Sequence, residues 1–467
     1  MSSSLASGTH FSPRRRTAVV LTGEGAHAAY LAGVMSALDA AGVRIDVVLG
    51  RGAGALVAAF SALHAEEKIV GEGGILDAFS RRRPYRVAFL YRLAAVCLMA
   101  AFAFIASPAI VGLVSVAALP IQAVIRGLVS EGSRSSSSWT SNLVTAMEPY
   151  YFPAVALPVI VLFTVVAGRA LLLMWKRRGQ RPALGEWLPP FFDLAPLESL
   201  LEGRLWQLVR GTATEERPRD RRALSDAYTQ LLVSGLGQHG FRELVFYALD
   251  ADTGEEVPFV VLKDRFAKKM AALADPSRSE PIDLANEGSS SLLFDALVAA
   301  SSPPGLVPEV GLKLPRGTRF GGEVHRFTSS LSMGGNTIPD AVAIGAEQIV
   351  YVTAATRGER LSGVLSERLA ARALRRSLEN DLGWAAERPE LRVFVVRPDT
   401  ERLNPFELSG RPQLGGERLA PAALADQGER DVERLFLRPV LGEELSSFPQ
   451  EATVPFDRGW EGGPKEL

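Results

Sequence analysis

The sequence predicts an α/β fold, a central and mostly parallel sheet, interrupted by an inserted helical hairpin of membrane-spanning length. Three observations predict it. Two strand–glycine turn–helix units follow one another near the start, strand-like runs resume only after about residue 240, and two long uncharged stretches lie between. Consecutive strand–turn–helix units imply parallel strands joined by right-handed crossovers.

In the first unit, the β-rich run from Thr17 to Leu21 leads into a turn at Gly23-Glu24-Gly25 and then into helical spacing from Ala26 to Ala41. The second unit repeats the pattern, with a strand from Ile45 to Leu49, a tight turn from Gly50 to Gly54 and a helix from Ala55 to His64. Next comes an uncharged run of about 33 residues, Leu93 to Ile125, and a second of about 19, Tyr150 to Gly168. Roughly 20 helical residues cross a hydrocarbon core, so both runs have spanning length. The longer run calls for a break, and Pro108 and Pro120 offer one. Arg81, Arg82, Arg83, Arg86 and Arg92 precede the pair and Lys176, Arg177, Arg178 and Arg181 follow it, which places both outer flanks in the cytoplasm. The sequence therefore predicts a two-helix, multi-pass membrane protein with cytoplasmic N- and C-terminal parts. Past the insert, strands are expected at Glu243–Asp250, Val257–Leu262, Gln348–Thr353 and Leu391–Val396. Helices are expected at Leu292–Ala300, Leu361–Asn380 and Ala420–Leu437.

Composition narrows the function. Over 467 residues, 51 Lys+Arg against 52 Asp+Glu leave a net charge of −1, so no global field holds the chain on nucleic acid. One cysteine, Cys97, excludes an internal disulfide and a cysteine zinc cluster. The histidines show no metal-ligand spacing, and no metal or cofactor is expected. A mean hydropathy of +0.12 is high for a chain with 22% charged residues, and the two uncharged runs carry the surplus.

Two glycine turns are the candidate sites. Gly23-Glu24-Gly25-Ala26-His27-Ala28 fits the G-x-G-x-x-G/A dinucleotide fingerprint, which would make the chain an oxidoreductase. The acidic residue needed at the end of the second strand is missing, because Asp46 stands at that strand's beginning. Gly50-Arg51-Gly52-Ala53-Gly54 has the spacing of G-x-S-x-G, a strained strand-to-helix turn that lifts its central residue clear of the sheet. Here the central residue is Gly52, which offers no oxygen.

In their order, these motifs resemble the patatin-like phospholipase family. Thr17 to Val34 looks like the family's opening strand, oxyanion loop and first helix, and Gly50–Gly54 falls at the nucleophile elbow. Tyr247 to Glu255 resembles a family strand and turn. Ala300 to Val310 resembles the Ala-Ser-x-x-x-Pro segment, and Gly334-Gly335-Asn336-Thr337-Ile338-Pro339 with Ile344 to Ile349 resembles the closing signal. The resemblance implies a patatin-like three-layer fold with a first part at 17–80 and a second part at 182–410; the hairpin at 81–181, read from the uncharged runs, lies between them. A disordered segment at 1–16 and a partly disordered extension at 411–467 flank them.

Patatin-like hydrolases use a Ser/Asp dyad and backbone N–H groups that hold the oxyanion. This sequence departs from each part. Gly52 stands at the nucleophile position, and the dyad aspartate falls on Phe320 or Met333, depending on register. Glu24 and His27 replace residues of the oxyanion loop. The resemblance therefore implies a patatin-like protein that has lost hydrolysis and binds membrane lipid or a protein partner. The alternative is an acyl hydrolase with a relocated nucleophile, for which Ser301, Ser302 and Asp340 are the residues to test.

Overall fold

The structure is a computed structural model that describes residues 11–70, most of 192–355, 365–398 and 421–441, together with 74–76, 86–88, 91–100 and isolated positions between 102 and 168. The chain divides into two compact units, 1–86 with 193–467, and 87–192.

The larger unit is a mixed α/β structure built on a nine-stranded sheet. Its strands are β1 (Thr17–Gly23), β2 (Val47–Gly52), β3 (Glu243–Asp250), β4 (Glu256–Val261), β5 (Ile282–Asp283), β6 (Val310–Lys313), β7 (Val324–Ser329), β8 (Gln348–Thr353) and β9 (Arg392–Val396). Their order is β9-β8-β1-β2-β3-β4-β5. The five strands from β9 to β3 run parallel, and the sheet takes strands from both sides of the insert. Five strands are buried along their whole length or nearly so, as expected of a parallel sheet covered on both faces.

One register positions the site. β4 pairs with Leu244 to Leu249 of β3, so β7, which pairs with Ala248 to Asp250, must use the opposite edge of β3. β2 pairs along that edge from Glu243 to Tyr247. β2 and the antiparallel β7 therefore meet end to end beside β3, with Arg51 opposite Tyr247 and Ser329 opposite Ala248.

Helices cover both faces. On one, α6 (Asp264–Ala272), α8 (Thr337–Ala343) and α9 (Leu365–Ala386) pack Phe266, Met270, Ile338, Ala341, Leu378 and Leu382 against Val20, Leu49, Val245 and Tyr351. On the other, α2 (Ala53–Ser61) packs on β1, β2 and β3, and α7 (Leu293–Ala300) on β3 and β7. α1 (His27–Ala40) packs against α2, the short α3 (Glu67–Val70) and α10 (Pro421–Val432). α4 (Ala195–Arg210) and α5 (Arg221–Gly235) are packed together, and the latter is capped by Asp220, whose side chain accepts from Arg222 N. Neither helix was read from the sequence, nor were β6 and β7.

Residues 11–16, expected within a disordered leader, are fixed to the sheet. Gln348 bonds Ser12 in both directions, Arg16 pairs with Glu243 at 2.6 Å, and Phe11 meets Phe436 edge-on at 5.3 Å between ring centroids. Residues 1–10, 401–420 and 442–467 lie outside the described residues.

The two-span membrane reading is corrected here. Among the described residues, no helix is long and apolar enough to cross a membrane. In the smaller unit, residues 91–100 are helical. Apart from 91–100 and the isolated positions between 102 and 168, the two runs lie outside the described residues. The multi-pass location with cytoplasmic ends is corrected by the same finding.

α1 and α10 touch through glycine. A Cβ on Gly33 would lie 2.1 Å from the Ala425 carbonyl oxygen, and one on Gly428 would lie 2.2 Å from that of Tyr30. Backbone cannot yield as a side chain tip can, so Gly33→Ala forces the helices apart. The expected result is a loss of about 2 kcal/mol in urea unfolding; an unchanged midpoint would show that α10 does not dock in this way.

Candidate functional site

The site lies at the C-terminal ends of β1 and β2, where an α/β sheet offers backbone groups to a ligand. Gly23 pairs with Gly52 across the two strands. β2 runs straight through Gly50 and Arg51, α2 begins at Ala53, and Gly52 makes the turn with φ 59° and ψ −131°. This is the sharp strand-to-helix geometry of a nucleophile elbow, at a positive φ that a side chain takes only under strain. Gly54 lets α2 approach, since a Cβ there would meet Leu21 O at 2.1 Å.

No side chain projects from Gly52, and another occupies its place. A Cβ on Gly52 would sit 2.5 Å from Glu24 Oε1 and 2.3 Å from Gly23 O. Glu24 is 1% exposed. Its Oε1 accepts from Ser329 Oγ at 2.6 Å, while Oε2 is buried with no hydrogen-bond partner. One carboxyl oxygen thus bridges the elbow position and the end of β7. Burial pushes the Glu24 carboxyl up to about 8, against the Ser329 hydrogen bond, which lowers it. At neutral pH the group is therefore mostly uncharged.

The loop is closed on itself as well. The Glu24 N–H donates to His27 Nδ1 at 3.1 Å, which requires the Nε2–H tautomer of the ring. Gly25 has φ 52°, and Ala26 leads into α1. His27 and Ala28 are buried on the helix. Donors of this kind stabilise an oxyanion only if they point at it unoccupied, and the Glu24 donor is taken.

The opposite face of the same strand ends carries a second buried polar cluster. Arg51, 2% exposed, donates to Glu256 Oε2 and, at 3.1 Å, to Ser377 Oγ; its guanidinium stacks 4.9 Å above the Tyr247 ring. Ser330 Oγ donates to the other Glu256 oxygen, Tyr247 Oη donates to Asp340 Oδ2 at 2.8 Å, and Tyr351 Oη donates to Asp381 Oδ2 at 3.0 Å. Burial acts to lower the arginine pKa, but Glu256 and Asp381 outweigh it and keep the guanidinium charged. The Asp381 carboxyl is raised by burial, with Arg51 pulling it back. Arg51 thus compensates the carboxylates beneath the elbow.

The candidates read from sequence are only partly brought together. Glu24 and Gly52 meet, and Arg51 is turned to the other face. Phe320 and Met333, the two registers for the dyad aspartate, lie outside the described residues; Gly321 and Gly322 form an exposed turn between β6 and β7. The residue that does stand beside the elbow is Ser329. Sequence reading missed it because β7 was not recognised and no aspartate marks the position. Asp340 belongs to the Arg51 cluster. Ser302 Oγ bonds back to Val298 O at 2.5 Å, and its carbonyl accepts from Ser329 N and Thr328 Oγ1, each at 2.8 Å. The Ser-Ser-Pro-Pro segment is therefore what anchors the end of β7. Ser301 Oγ is buried without a partner.

Asp250, Asp252 and His325 bring ligand atoms within 4.8 Å of one another, residues of metal-binding type that their separation in sequence concealed. Their atoms are engaged. His325 Nδ1 lies 2.6 Å from Asp250 Oδ2, and Asp252 accepts from Arg326 N and Nε at 2.8 Å each. The arginine already supplies the positive charge that a cation would bring.

No protein-family model matches the chain, and no curated protein matches it. Among solved structures, the crystal structure of VipD from Legionella pneumophila is similar to it at a TM-score of 0.30 and 10% identity, over 90% of this chain and 67% of that one.

The Glu24 carboxyl titrates near 4.5 when unfolded and near 8 when folded, so between those values the folded state holds the extra proton and stability falls as pH rises. Glu24→Gln removes that slope. The stability of the variant relative to the wild type should climb by about 3 kcal/mol from pH 4.5 to pH 7 in urea titrations. A difference that does not change with pH would show that Glu24 is ionised in the niche.

Proposed function

We propose that the chain is a patatin-like domain that recognises an acyl lipid without hydrolysing it through the elbow. The order of its motifs supports the family reading, and the backbone at Gly52 has the shape that a nucleophile would need. The observation that carries the non-hydrolytic reading is the Glu24 carboxyl, which fills the space of the missing nucleophile side chain. Loss of a nucleophile costs on the order of a millionfold in turnover in a serine hydrolase, and the other parts do not compensate here. Ser329, rather than a carboxylate, stands next to the elbow, and the Glu24 N–H is bound to His27. Recognition of an acyl ligand is the role that the family resemblance leaves to such a site; docking of a protein partner is a second use open to it.

A relocated nucleophile is the competing reading, and Ser329 is the residue that it would need. Ser329 is already hydrogen-bonded to a carboxyl but is 0% exposed, so no ester carbonyl reaches it. Treatment with a fluorophosphonate probe and with p-nitrophenyl butyrate decides between them. The expected result is neither covalent label nor turnover above buffer. Labelling that maps to Ser301, Ser302 or Ser329, or turnover that Ser329→Ala abolishes, would overturn the proposal.

A further inference from the structure

The backbone of Glu24 is bonded to His27 at both its N–H and its carbonyl, but its side chain is held in the niche by little. Of its two carboxyl oxygens, one has a single hydrogen bond, from Ser329 Oγ, and the other has none. A buried oxygen without a partner costs about 1–3 kcal/mol, and more if charged. The residue stands between Gly23 and Gly25, where the backbone is least restricted. Gly52 contributes nothing to retain it beyond the space left by its absent Cβ. An ordinary core residue is locked by its neighbours, whereas this one is a polar side chain lodged in a gap.

Among the described residues, no charge around the niche offsets that of Glu24. On its own loop and on α1 the nearest ionisable side chain is His27, whose Nδ1 is taken by the Glu24 N–H; Tyr30 and Asp39 lie further along α1. β1 and α2 carry no ionisable side chain. On β2, Arg51 faces the other side in its bonds to Glu256 and Ser377. On β7, His325 and Arg326 lie toward the far end with Asp250 and Asp252, and on β8 Tyr351 bonds to Asp381 on the Arg51 face. Asp295 lies in the first turn of α7.

We propose that Glu24 is a displaceable plug: its protonated carboxyl seals the niche between Gly52 and Ser329, and loss of the proton drives the side chain and its glycine-flanked loop outward, exposing the elbow. The inference concerns the same niche as the proposed function, but it rests on the geometry of the niche and does not require that the ligand be a lipid.

The direction follows from linkage. The withdrawn side chain titrates as a free carboxyl near 4.5, whereas the seated one holds its proton up to about 8. Between those values the open population grows about tenfold per pH unit, and above about 8 it levels off. Below about 4.5 the plug stays seated.

Hydrogen exchange on the full chain tests this, with the peptide covering residues 22–31 compared with a peptide covering β8 in the same sample, each corrected for intrinsic exchange. From pH 6 to pH 8, opening of the 22–31 peptide should rise by some tens of fold relative to β8, and in Glu24→Gln that rise should vanish. If the wild-type peptide follows β8 at every pH, or if Glu24→Gln shows the same rise, the plug does not exist. The wild-type comparison decides by itself should the variant fail to fold. The outcome is separate from that of the esterase assay, since a protein without turnover can show either exchange pattern.

Discussion

Three strand ends, those of β1, β2 and β7, converge on a space large enough for one side chain, and the occupant is the carboxyl of Glu24. The close approach is fixed by pairing. Gly23 lies across from Gly52, and β7 takes over the edge of β3 where β2 stops. A Cβ at position 52 would meet the Gly23 carbonyl oxygen at 2.3 Å as well as Glu24 Oε1 at 2.5 Å. The identity of the elbow residue and the conformation of the loop before α1 are therefore one constraint seen from two sides. The anchoring of β7 by the Ser302 carbonyl completes it, because that contact brings Ser329 within reach of the carboxyl.

The two faces of the β2 end deal with polarity in opposite ways. On the Arg51 face, a buried cation meets Glu256, tyrosine hydroxyls meet Asp340 and Asp381, and charges are matched by partners. A buried ion pair of this sort contributes little to stability as such, yet removing one partner is costly. On the Glu24 face there is no counter-charge among the described residues, and the carboxyl keeps its proton instead. Neutralisation by a partner and neutralisation by a proton thus sit on either side of one strand.

Much of the fold was legible in the sequence. The two βα units near the start, the strand at 348–353 and the C-terminal helix stand where periodicity and glycine placement put them, since buried parallel strands and βα turns have strong local signals. β6 and β7 did not show, because Val-His-Arg-Phe-Thr-Ser alternates imperfectly and its pairing with β3 is a matter of tertiary register. In the same way, Gly52 and Glu24 could each be singled out as departures, but their contact could not: 28 residues apart in sequence, they meet only across paired strands. Ser329 was invisible for want of any local motif. The membrane reading rested on run length and absence of charge alone, and among the described residues no helix is long and apolar enough to cross a membrane.

The central claim is that an uncharged Glu24 carboxyl occupies the space against Gly52 at neutral pH. Difference infrared spectroscopy at pH 7, wild type minus Glu24→Gln, tests it most directly. A carbonyl stretching band of a protonated carboxylic acid should appear in the difference and should shift in a Ser329→Ala background, where its hydrogen bond is gone. A difference spectrum that shows only carboxylate bands would contradict the account.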